Sequence, residues 1–289
     1  MAGCTQDEIF SSDKGKEPAG EGTAFTLIGL TSVQTRTSIG DKTGDIYPVL
    51  WSDGDALGLF SRTEGADIEN VQALLSGESV GKNSGVFTAE SVSPAKEGET
   101  EILIYYPYKM DAKLADNGNK ITASLAVEQE QSKSGDSNHI GKYGFAYAKT
   151  TVNSTSKSAK FSLKHAMAYV KFCISSQELS TYKLKSVSLY DKETKTPLSG
   201  TFTANLDTEE LTFESESNPY ATVSLTTPEL LAVTQEVYLT AYPADLTGKH
   251  IYVVVTLEGD NQTTVTIPIL QEGKLLKADA VNVIVINDL

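Results

Sequence analysis

Residues 159–175 read AKFSLKHAMAYVKFCIS, and this stretch decides the fold class. Apolar side chains occupy alternate positions, at odd numbers before His165 and at even numbers after it. A period of two is typical of a β-strand, because successive side chains point to opposite faces. The change of parity predicts a β-bulge or a short break at residues 164–166, because a shift of one residue turns every later side chain to the other face.

The same alternation recurs along most of the chain and predicts further strands. They are expected at residues 121–127, 200–206 and 221–225. Residues 251–269 are two apolar runs around the turn E-G-D-N, and residues 51–60 are typical of a second hairpin on an Asp-Gly turn. Short strands separated by frequent turn signals favour β-sandwiches over a parallel α/β sheet. The predicted fold is therefore all-β, built of sandwich domains with little helix.

One helix is predicted, at residues 66–77 with the sequence ADIENVQALLSG. Four apolar side chains in it would share one face of a helix, namely Ile68, Val71, Leu74 and Leu75. The glycine at its end is a common helix terminator. This segment is the best helical candidate in the chain.

Length and composition predict two domains of similar size. A chain of 289 residues is long enough for two ordinary domains. Residues 150–160 are polar and rich in Ser and Thr, which predicts a linker. The boundary is therefore expected near residue 155, between a sandwich of residues 23–155 and a sandwich of residues 156–289.

An N-terminal tether carries one of the two cysteines, Cys4. Residues 5–21 have almost no apolar side chains, so they cannot bury enough area to offset their ordering entropy. Residues 1–22 are therefore predicted to be a disordered tether, and Cys4 is not expected in a core. Cys4 and Cys173 alone do not make a disulfide framework.

The net charge of −14 and the pI near 4.7 limit the classes of partner. Nucleic-acid binding needs clustered Lys and Arg to neutralise phosphates, so no nucleic-acid partner is expected. Attraction to an anionic membrane surface is disfavoured for the same reason. The sequence has no apolar run of the roughly 18 residues that a membrane-spanning helix needs.

A search for catalytic or metal-binding patterns finds none that is convincing. The histidines His139, His165 and His250 have no second ligand at metal spacing. His165 and Cys173 would lie about 26 Å apart along one strand at roughly 3.3 Å per residue, too far for a catalytic dyad. The glycine-rich stretch GESVGKNSG has the wrong spacing for a phosphate loop. We therefore expect no enzyme, no metal and no cofactor.

Four stretches, in order along the chain, resemble the Bacteroidales fimbrillin family of Mfa-like and FimA-type pilins. Residues 35–61 carry TRT and then W-x-x-G-D before a short apolar strand, and residues 101–110 carry the aromatic YYPY. Residues 159–174 contain F-x-x-x-H-A, and residues 275–289 end in VNVIVINDL. One departure from the family pattern is Asp279, which stands where a glycine is common. Together the stretches cover nearly the whole chain after residue 23.

The resemblance implies two transthyretin-like Greek-key β-sandwich domains. It also implies export as a lipoprotein to the cell surface and outer membrane, where other pilin subunits would be the partners. The expected function is that of a structural pilus subunit that mediates adhesion and assembles by donor-strand exchange. In such an exchange, a sandwich that lacks one strand takes a strand from its neighbour, which satisfies the unpaired backbone groups. A head-to-tail contact of this kind does not close, so it gives a filament.

Cys4 gains an expected role from the same resemblance. A lipoprotein signal ends in small residues before the lipid-bearing cysteine, and Ala2-Gly3-Cys4 fits that ending. The charged and apolar regions that should precede it are not in the sequence, so either the first residue is internal to a longer precursor or the signal was removed. The alternative is that Cys4 has no function and lies in a disordered tail.

Arg36 is one of only two arginines in the chain, with Arg62. It follows residues 23–35, which predict a first strand weakened by Gly29. In stalk pilins of the resembled family, an Arg-specific protease removes the first strand after such an arginine. The carry-over predicts cleavage between Arg36 and Thr37. The alternative is an unprocessed anchor subunit, and the sequence leaves the stalk, anchor and tip roles open, together with the adhesion target.

A second function class is a surface lipoprotein that binds glycans as a non-catalytic module. Its support is a set of aromatic residues able to stack on sugars: Trp51, Tyr105, Tyr106 and Tyr108. The competing interpretation is that these residues belong to strand cores.

Overall fold

In the computed structural model, the described residues are 25–31, 38–39, 49–115, 119–214, 217–259, 263–270, 275–287 and 289. They are almost entirely β. The first eleven strands are β1 (Phe25–Thr31), β2 (Ser38–Ile39), β3 (Val49–Leu50), β4 (Ala56–Phe60), β5 (Val71–Leu75), β6 (Ser84–Ala89), β7 (Glu99–Tyr106), β8 (Lys120–Leu125), β9 (Glu128–Gln131), β10 (Ala146–Asn153) and β11 (Ser158–His165). The remaining strands are β12 (Ala168–Ser175), β13 (Lys183–Asp191), β14 (Gly200–Asn205), β15 (Glu210–Phe213), β16 (Tyr220–Leu230), β17 (Gln235–Ala241), β18 (Ala244–Asp245), β19 (His250–Glu258), β20 (Thr263–Leu270), β21 (Leu275–Leu276) and β22 (Val281–Asn287). A 3-10 turn (Gly77–Ser79) and one helical turn, α1 (Ile140–Tyr143), complete the described elements. The all-β prediction is confirmed.

Seven strands form a closed ring in the order β1, β11, β10, β7, β4, β5, β6. The ring exists because β1 pairs with β6 on one side and with β11 on the other. Inward-facing residues of these strands make one hydrophobic core, whose most deeply buried members include Leu27, Leu57, Leu59, Phe87 and Ile104. Trp51 closes one part of this core, edge to face with Phe87.

A second core lies between a three-stranded sheet and a five-stranded sheet. The first has the order β17, β12, β22 and the second the order β20, β19, β13, β16, β9. Their facing side chains are branched or aromatic and fully buried, for example Val170, Phe172, Val187, Val223 and Val253. Sheets that pack in this way bury one face each, which is why alternate residues of the strands are apolar.

A third, aromatic core involves the small sheet of order β15, β14, β8. Phe145 lies edge to face with Phe202, and Phe202 lies edge to face with Tyr242. Residues from β7, β10 and β12 join the same cluster. This core therefore packs the first part of the chain against the second.

The domain boundary near residue 155 stays a prediction, and four strand pairs cross it. The first is the neighbouring pair of β10 and β11. β1 pairs with β11, β8 pairs with β14, and β9 pairs with β16. The polar stretch that suggested a linker covers the end of β10, the turn of residues 154–157 and the start of β11, and both strands belong to the ring. Strand partners far apart in sequence leave no mark on local composition.

The change of parity after His165 coincides with a short gap between two strands. β11 ends at His165 and β12 begins at Ala168, and the two strands belong to different sheets. Residues 166–167 are buried on the way. The hairpin predicted at residues 251–269 is also confirmed, as β19 paired antiparallel with β20.

The helix predicted at residues 66–77 is wrong. Residues 71–75 form β5, in which Ala73 is buried while Gln72 and Leu74 are exposed. Asn70 has a φ of 48°, which separates Ile68 from the strand. Four apolar residues at this spacing satisfy a short strand as well as a helix, so the pattern did not discriminate.

The hairpin predicted at residues 51–60 is also wrong in its partners. The turn exists, since the amide of Ser52 donates to Asp55 Oδ2 at 2.7 Å and Gly54 has a φ of 81°. However, β3 pairs with β2, and β4 pairs with β5 and β7. The chain changes sheet at the turn instead of folding back on itself.

Two glutamine side chains of β9 form hydrogen bonds to the outer edge of β17. Gln129 donates to the carbonyl of Thr240 at 2.7 Å and accepts from the amide of Thr240 at 3.0 Å. Gln131 accepts from the amide of Tyr238 at 2.8 Å and donates to the carbonyl of Glu236 at 2.9 Å. Both side chains are fully buried. They occupy the hydrogen-bonding places that a neighbouring strand would take, which protects an edge strand.

Candidate functional site

The candidate site is β1 and the groove that holds it. β1 lies antiparallel to β6 from Phe25, opposite Ala89, to Leu30, opposite Ser84. It lies parallel to β11 along almost its whole length. Because β1 is hydrogen-bonded on both sides, its removal would expose two strand edges with unpaired amides and carbonyls.

Two side chains anchor β1 in the core of the ring. Phe25 is 2% exposed and Leu27 is fully buried, and both belong to the ring core. Burial of side chains of this size stabilises by roughly 1.5–3 kcal/mol each. Thr26 and Ile28 lie on the other face and are half-buried. The strand therefore fills two apolar positions in the groove.

The third inward position of β1 is Gly29, and the ring of Phe161 fills the space that a side chain there would occupy. A Cβ atom on Gly29 would lie 2.6 Å from Cζ of Phe161. Phe161 comes from the neighbouring strand β11 and is itself 5% exposed. Gly29 is thus needed for a close approach of backbone to ring.

The last described strand, β22, is an edge strand with apolar side chains on both faces. It lies at the edge of the three-stranded sheet, parallel to β12. Ile286 is 8% exposed on the inner face, but Val283 is 44% exposed and Val285 is 61% exposed on the outer face. Apolar side chains on both faces of an edge strand indicate a surface that a partner covers.

The predicted processing and lipidation residues Cys4, Arg36 and Thr37 lie outside the described residues. Their roles stay predictions. The other arginine, Arg62, is exposed and donates from Nη2 to the carbonyl of Ala115 at 2.7 Å.

Three of the four aromatic residues proposed for glycan stacking lie in cores. Trp51 is 4%, Tyr105 1% and Tyr106 2% exposed. The hydroxyl of Tyr106 donates to Asp55 Oδ1 at 2.8 Å, and burial raises the pKa of this phenol. Only Tyr108 is half-buried and accessible in part.

His139, His165 and Cys173 have structural surroundings, and the side chain of His250 lies outside the described part. His139 Nε2 lies 2.8 Å from the carbonyl of Tyr238, and burial lowers the pKa of its imidazole. His165 is buried, with Nδ1 3.1 Å from the hydroxyl of Tyr169. Burial raises the pKa of the Cys173 thiol, the opposite of what an activated nucleophile needs. Within the described ranges, no three His, Cys, Asp or Glu side chains come close enough together to hold a metal ion.

Among the described residues, no helix has the length and apolar character needed to cross a membrane.

The fold is shared with solved proteins of Bacteroides species. The chain is 18% identical to a candidate cell adhesion protein from Bacteroides uniformis, with a TM-score of 0.57 and 94% of each chain covered. A candidate cell adhesion protein from Bacteroides ovatus gives 14% identity, a TM-score of 0.59 and 93% of each chain covered. One from Bacteroides fragilis gives 13% identity, a TM-score of 0.54 and 91% and 92% coverage of the two chains. No curated protein has a significantly similar sequence.

The architecture places the chain among all-β proteins built of several packed sheets. Its sequence then decides the family, because a model described as fimbrillin-like matches residues 35–280. The chain belongs to the fimbrillin-like family. It is therefore a structural subunit of cell-surface fimbriae with a role in adhesion, and not an enzyme.

Sequence reasoning missed three residues: Phe161, which shapes the groove, and Val283 and Val285, which are exposed on the edge strand β22. Phe161 was recognised only as a strand residue, and its place under Gly29 depends on the parallel pairing of β1 with β11. The exposed Val283 and Val285 had a signal in the sequence, because both faces of VNVIVIN are apolar.

Proposed function

We propose that this fimbrial subunit is assembled by donor-strand exchange in which β1 is the strand that is removed. The observation that carries the proposal is the position of β1, which is hydrogen-bonded on both sides in the ring. Among its described side chains, Phe25 and Leu27 anchor it in the core. Loss of this strand would leave a groove with unpaired backbone amides and carbonyls, which a replacement strand could satisfy. Each subunit would fold in the transthyretin-like manner of donor-strand pilins.

Cleavage between Arg36 and Thr37 is the proposed trigger. Described β1 ends at Thr31, so this cut leaves the whole strand on the released peptide. An Arg-specific protease of the cell surface would be the partner for this step. The peptide would carry Cys4, and with it the proposed lipid that holds the precursor to the outer membrane.

The donor that we propose is β22 of a neighbouring subunit. It is already an edge strand, and its exposed valines would become buried in a neighbour's groove. Burial of two valines adds a favourable contribution of about 1.5 kcal/mol or more for each side chain. Other pilin subunits, of this chain or of accessory chains, are therefore the direct partners.

Processing is tested on the purified chain with an Arg-specific protease. The expected product begins at Thr37 by N-terminal sequencing and forms filaments visible by electron microscopy. A matched pair of variants separates the two arginines: Arg36→Lys should block assembly and Arg62→Lys should leave it unchanged. Filaments from Arg36→Lys, or a folded chain that resists cleavage at Arg36, would favour an anchor or tip role.

The donor is tested by charged substitutions on exposed valines. Val283→Asp combined with Val285→Asp should leave the melting temperature of the monomer nearly unchanged, because both side chains face solvent. It should nevertheless prevent polymer formation after cleavage. Val233→Asp is the control, since Val233 is 63% exposed in the turn before β17. Normal filaments from the double variant would rule out β22 as the donor.

Lipidation is tested by radioactive palmitate in the native host. The precursor should be labelled and Cys4→Ala should not. Equal labelling of both would remove Cys4 from the proposal. Antibody labelling in electron microscopy then separates a stalk subunit, found along the filament, from an anchor at its base or a tip at its far end.

A further inference from the structure

A cavity of about 410 Å³ lies between β8, the segment after β7 and the turn before β10. Its floor is apolar and aromatic: Phe145 is 4% exposed, Phe202 1%, and Met167 is fully buried. Half-buried Tyr143 forms one wall. A cavity of this volume accepts one large side chain or a small molecule.

One side of the cavity is an open strand edge. The segment before β8 pairs with it only at its start, where Leu114 bridges Ile121 and the amide of Ala115 donates to the carbonyl of Lys120 at 2.9 Å. Beyond this point the two arms separate. On its other side β8 is fully paired with β14. Past Thr122, no strand of the described residues pairs with the cavity side of β8.

The alternation of an antiparallel strand tells which groups face the cavity. Backbone groups of successive residues point to opposite sides of a strand, and the carbonyl of Lys120 points to the cavity side. The amide and carbonyl of Ser124 therefore also point to that side. The hydroxyls of Thr122 and Ser124 are engaged elsewhere, each 3.2 Å from a threonine hydroxyl of β14. The groups of β8 that are available to a ligand in the cavity are therefore backbone amides and carbonyls.

The rim of the cavity is basic on an otherwise acidic protein. Lys109, Asp111 and Lys142 line it, and Lys113 lies exposed on the same arm. Three lysines against one aspartate contrast with a net charge of −14 for the whole chain. Lys142 Nζ also lies 5.0 Å from the centre of the Tyr143 ring, which places a cation at the cavity wall.

We propose that this open edge of β8 binds an extended acidic peptide of a partner protein by strand addition. The peptide would pair with the backbone at Ser124, place one aromatic or branched apolar side chain in the cavity, and meet Lys109 and Lys142 with its carboxylates. Main-chain pairing provides affinity and the cavity provides specificity in this mode of recognition. The site needs neither cleavage at Arg36 nor removal of β1, so it stands independently of the proposed assembly.

A glycan fits the same cavity less well. Sugars are held by exposed aromatic faces and side-chain hydrogen bonds. Here Tyr105 is 1% exposed, and the hydroxyls of Thr122 and Ser124 are turned away to β14. The unpaired backbone of β8 matches the donors and acceptors of another strand.

The test uses the full chain and a fluorescent heptapeptide, acetyl-Glu-Thr-Glu-Phe-Glu-Thr-Glu-amide, followed by anisotropy. Replacement of its four Glu by Lys, or of its Phe by Gly, should each weaken binding about tenfold or more, a change of roughly 1.4 kcal/mol. Equal binding of the lysine peptide would overturn the charge argument, and no binding of the acidic peptide would overturn the proposal.

Variants of the protein separate strand pairing from other contacts. Ser124→Pro removes the edge amide and should abolish binding. Like Ser124→Ala, it also loses the hydroxyl contact with Thr201 of β14, so the comparison of the two variants isolates the amide. Ser124→Ala keeps the amide and should bind normally. Lys109→Glu with Lys142→Glu should weaken binding about tenfold, whereas Lys96→Glu, an exposed lysine elsewhere, should not. Unchanged binding by Ser124→Pro and by the double lysine variant would overturn the site, as would a glycan that binds where the peptide does not.

Discussion

The ring of Phe161 lies directly under Gly29, so close that a Cβ atom at position 29 would be 2.6 Å from Cζ of the ring. Non-bonded carbon atoms keep about 3.5–4.0 Å apart, so any side chain there must displace the ring. The partner of Gly29 on β6 is also a glycine, Gly85, where a Cβ would lie 2.8 Å from Phe87 and Trp51. Two facing glycines let three aromatic rings lie against the backbone of β1 and β6.

Gly29→Val should destabilise the chain, because its side chain and the Phe161 ring claim the same space. Overpacking of this kind costs about 1–3 kcal/mol in the free energy of unfolding. In the Phe161→Ala background the added cost should be smaller, and urea unfolding of the four proteins measures this coupling. Thr26→Val, on the opposite face of β1, is the control and should change little. Additive effects of the Gly29 and Phe161 substitutions would contradict the close contact.

Stability in acid should depend on Asp191, which is buried at the end of β13. Burial alone would raise the pKa of this carboxyl, but hydrogen bonds from the side chain and amide of Thr194 and from the amide of Thr196 outweigh it and lower the pKa to about 2. The unfolded value is about 3.9, so ionised Asp191 contributes roughly 2.5 kcal/mol above that pH and loses it as the pH falls through about 2.

Asp191→Asn should therefore lower the free energy of unfolding at pH 7 and flatten its dependence between about pH 4 and pH 2. Urea unfolding at several pH values measures both effects. The exposed Asp53→Asn serves as the matched control. If Asp191→Asn kept the wild-type loss of stability between about pH 4 and pH 2, other carboxyl groups would be its cause.

Gln131→Leu should destabilise the chain by about 1–3 kcal/mol, because it leaves the buried amide of Tyr238 without an acceptor. Gln131→Glu keeps an acceptor for that amide but loses the donor to the carbonyl of Glu236, and it brings in a buried charge. Gln72→Leu is the control, since Gln72 is exposed on β5. Thermal and urea unfolding compare the variants, and equal stability of Gln131→Leu and Gln72→Leu would refute a structural role.

Tyr106→Ala should remove a large part of the free energy of unfolding. A loss of glycan binding in this variant would therefore not test the glycan hypothesis. Removing a buried aromatic side chain costs about 3–5 kcal/mol, and here Asp55 also loses the phenol that donates to it. Tyr108→Ala should leave the melting temperature almost unchanged. A glycan array with this second variant tests the glycan hypothesis cleanly. Binding that depends on Tyr108 would support a lectin-like role beside the fimbrial one.

Local patterns in the sequence predicted the strands whose two faces differ. β8, β12, β14 and β19 alternate because one face is buried, and this period survives in any sheet arrangement. The segment that became β5 was misinterpreted because its apolar residues satisfy both periods. Only long-range pairing decided the matter, since β5 is held by β4 and β6.

The candidate site was predictable in part. The weak first strand and its glycine were visible in the sequence, but the ring that β1 closes depends on β6 and β11, which lie more than fifty residues away. The burial of Gln129 and Gln131 had no sequence signal either, because EQEQ is typical of a solvated strand. Polar residues that replace backbone partners can be recognised only once the neighbouring edge is known.

The two glutamines of β9 that bond to the edge of β17 also give the molecule a direction. One margin of the three-stranded sheet is occupied from within the same chain by Gln129 and Gln131. The other margin, β22, has no strand partner beyond β12 among the described residues. A sheet with one blocked and one vacant side can be extended only one way. Any fibre made by adding to it has a head that differs chemically from its tail, so the two ends must elongate at different rates.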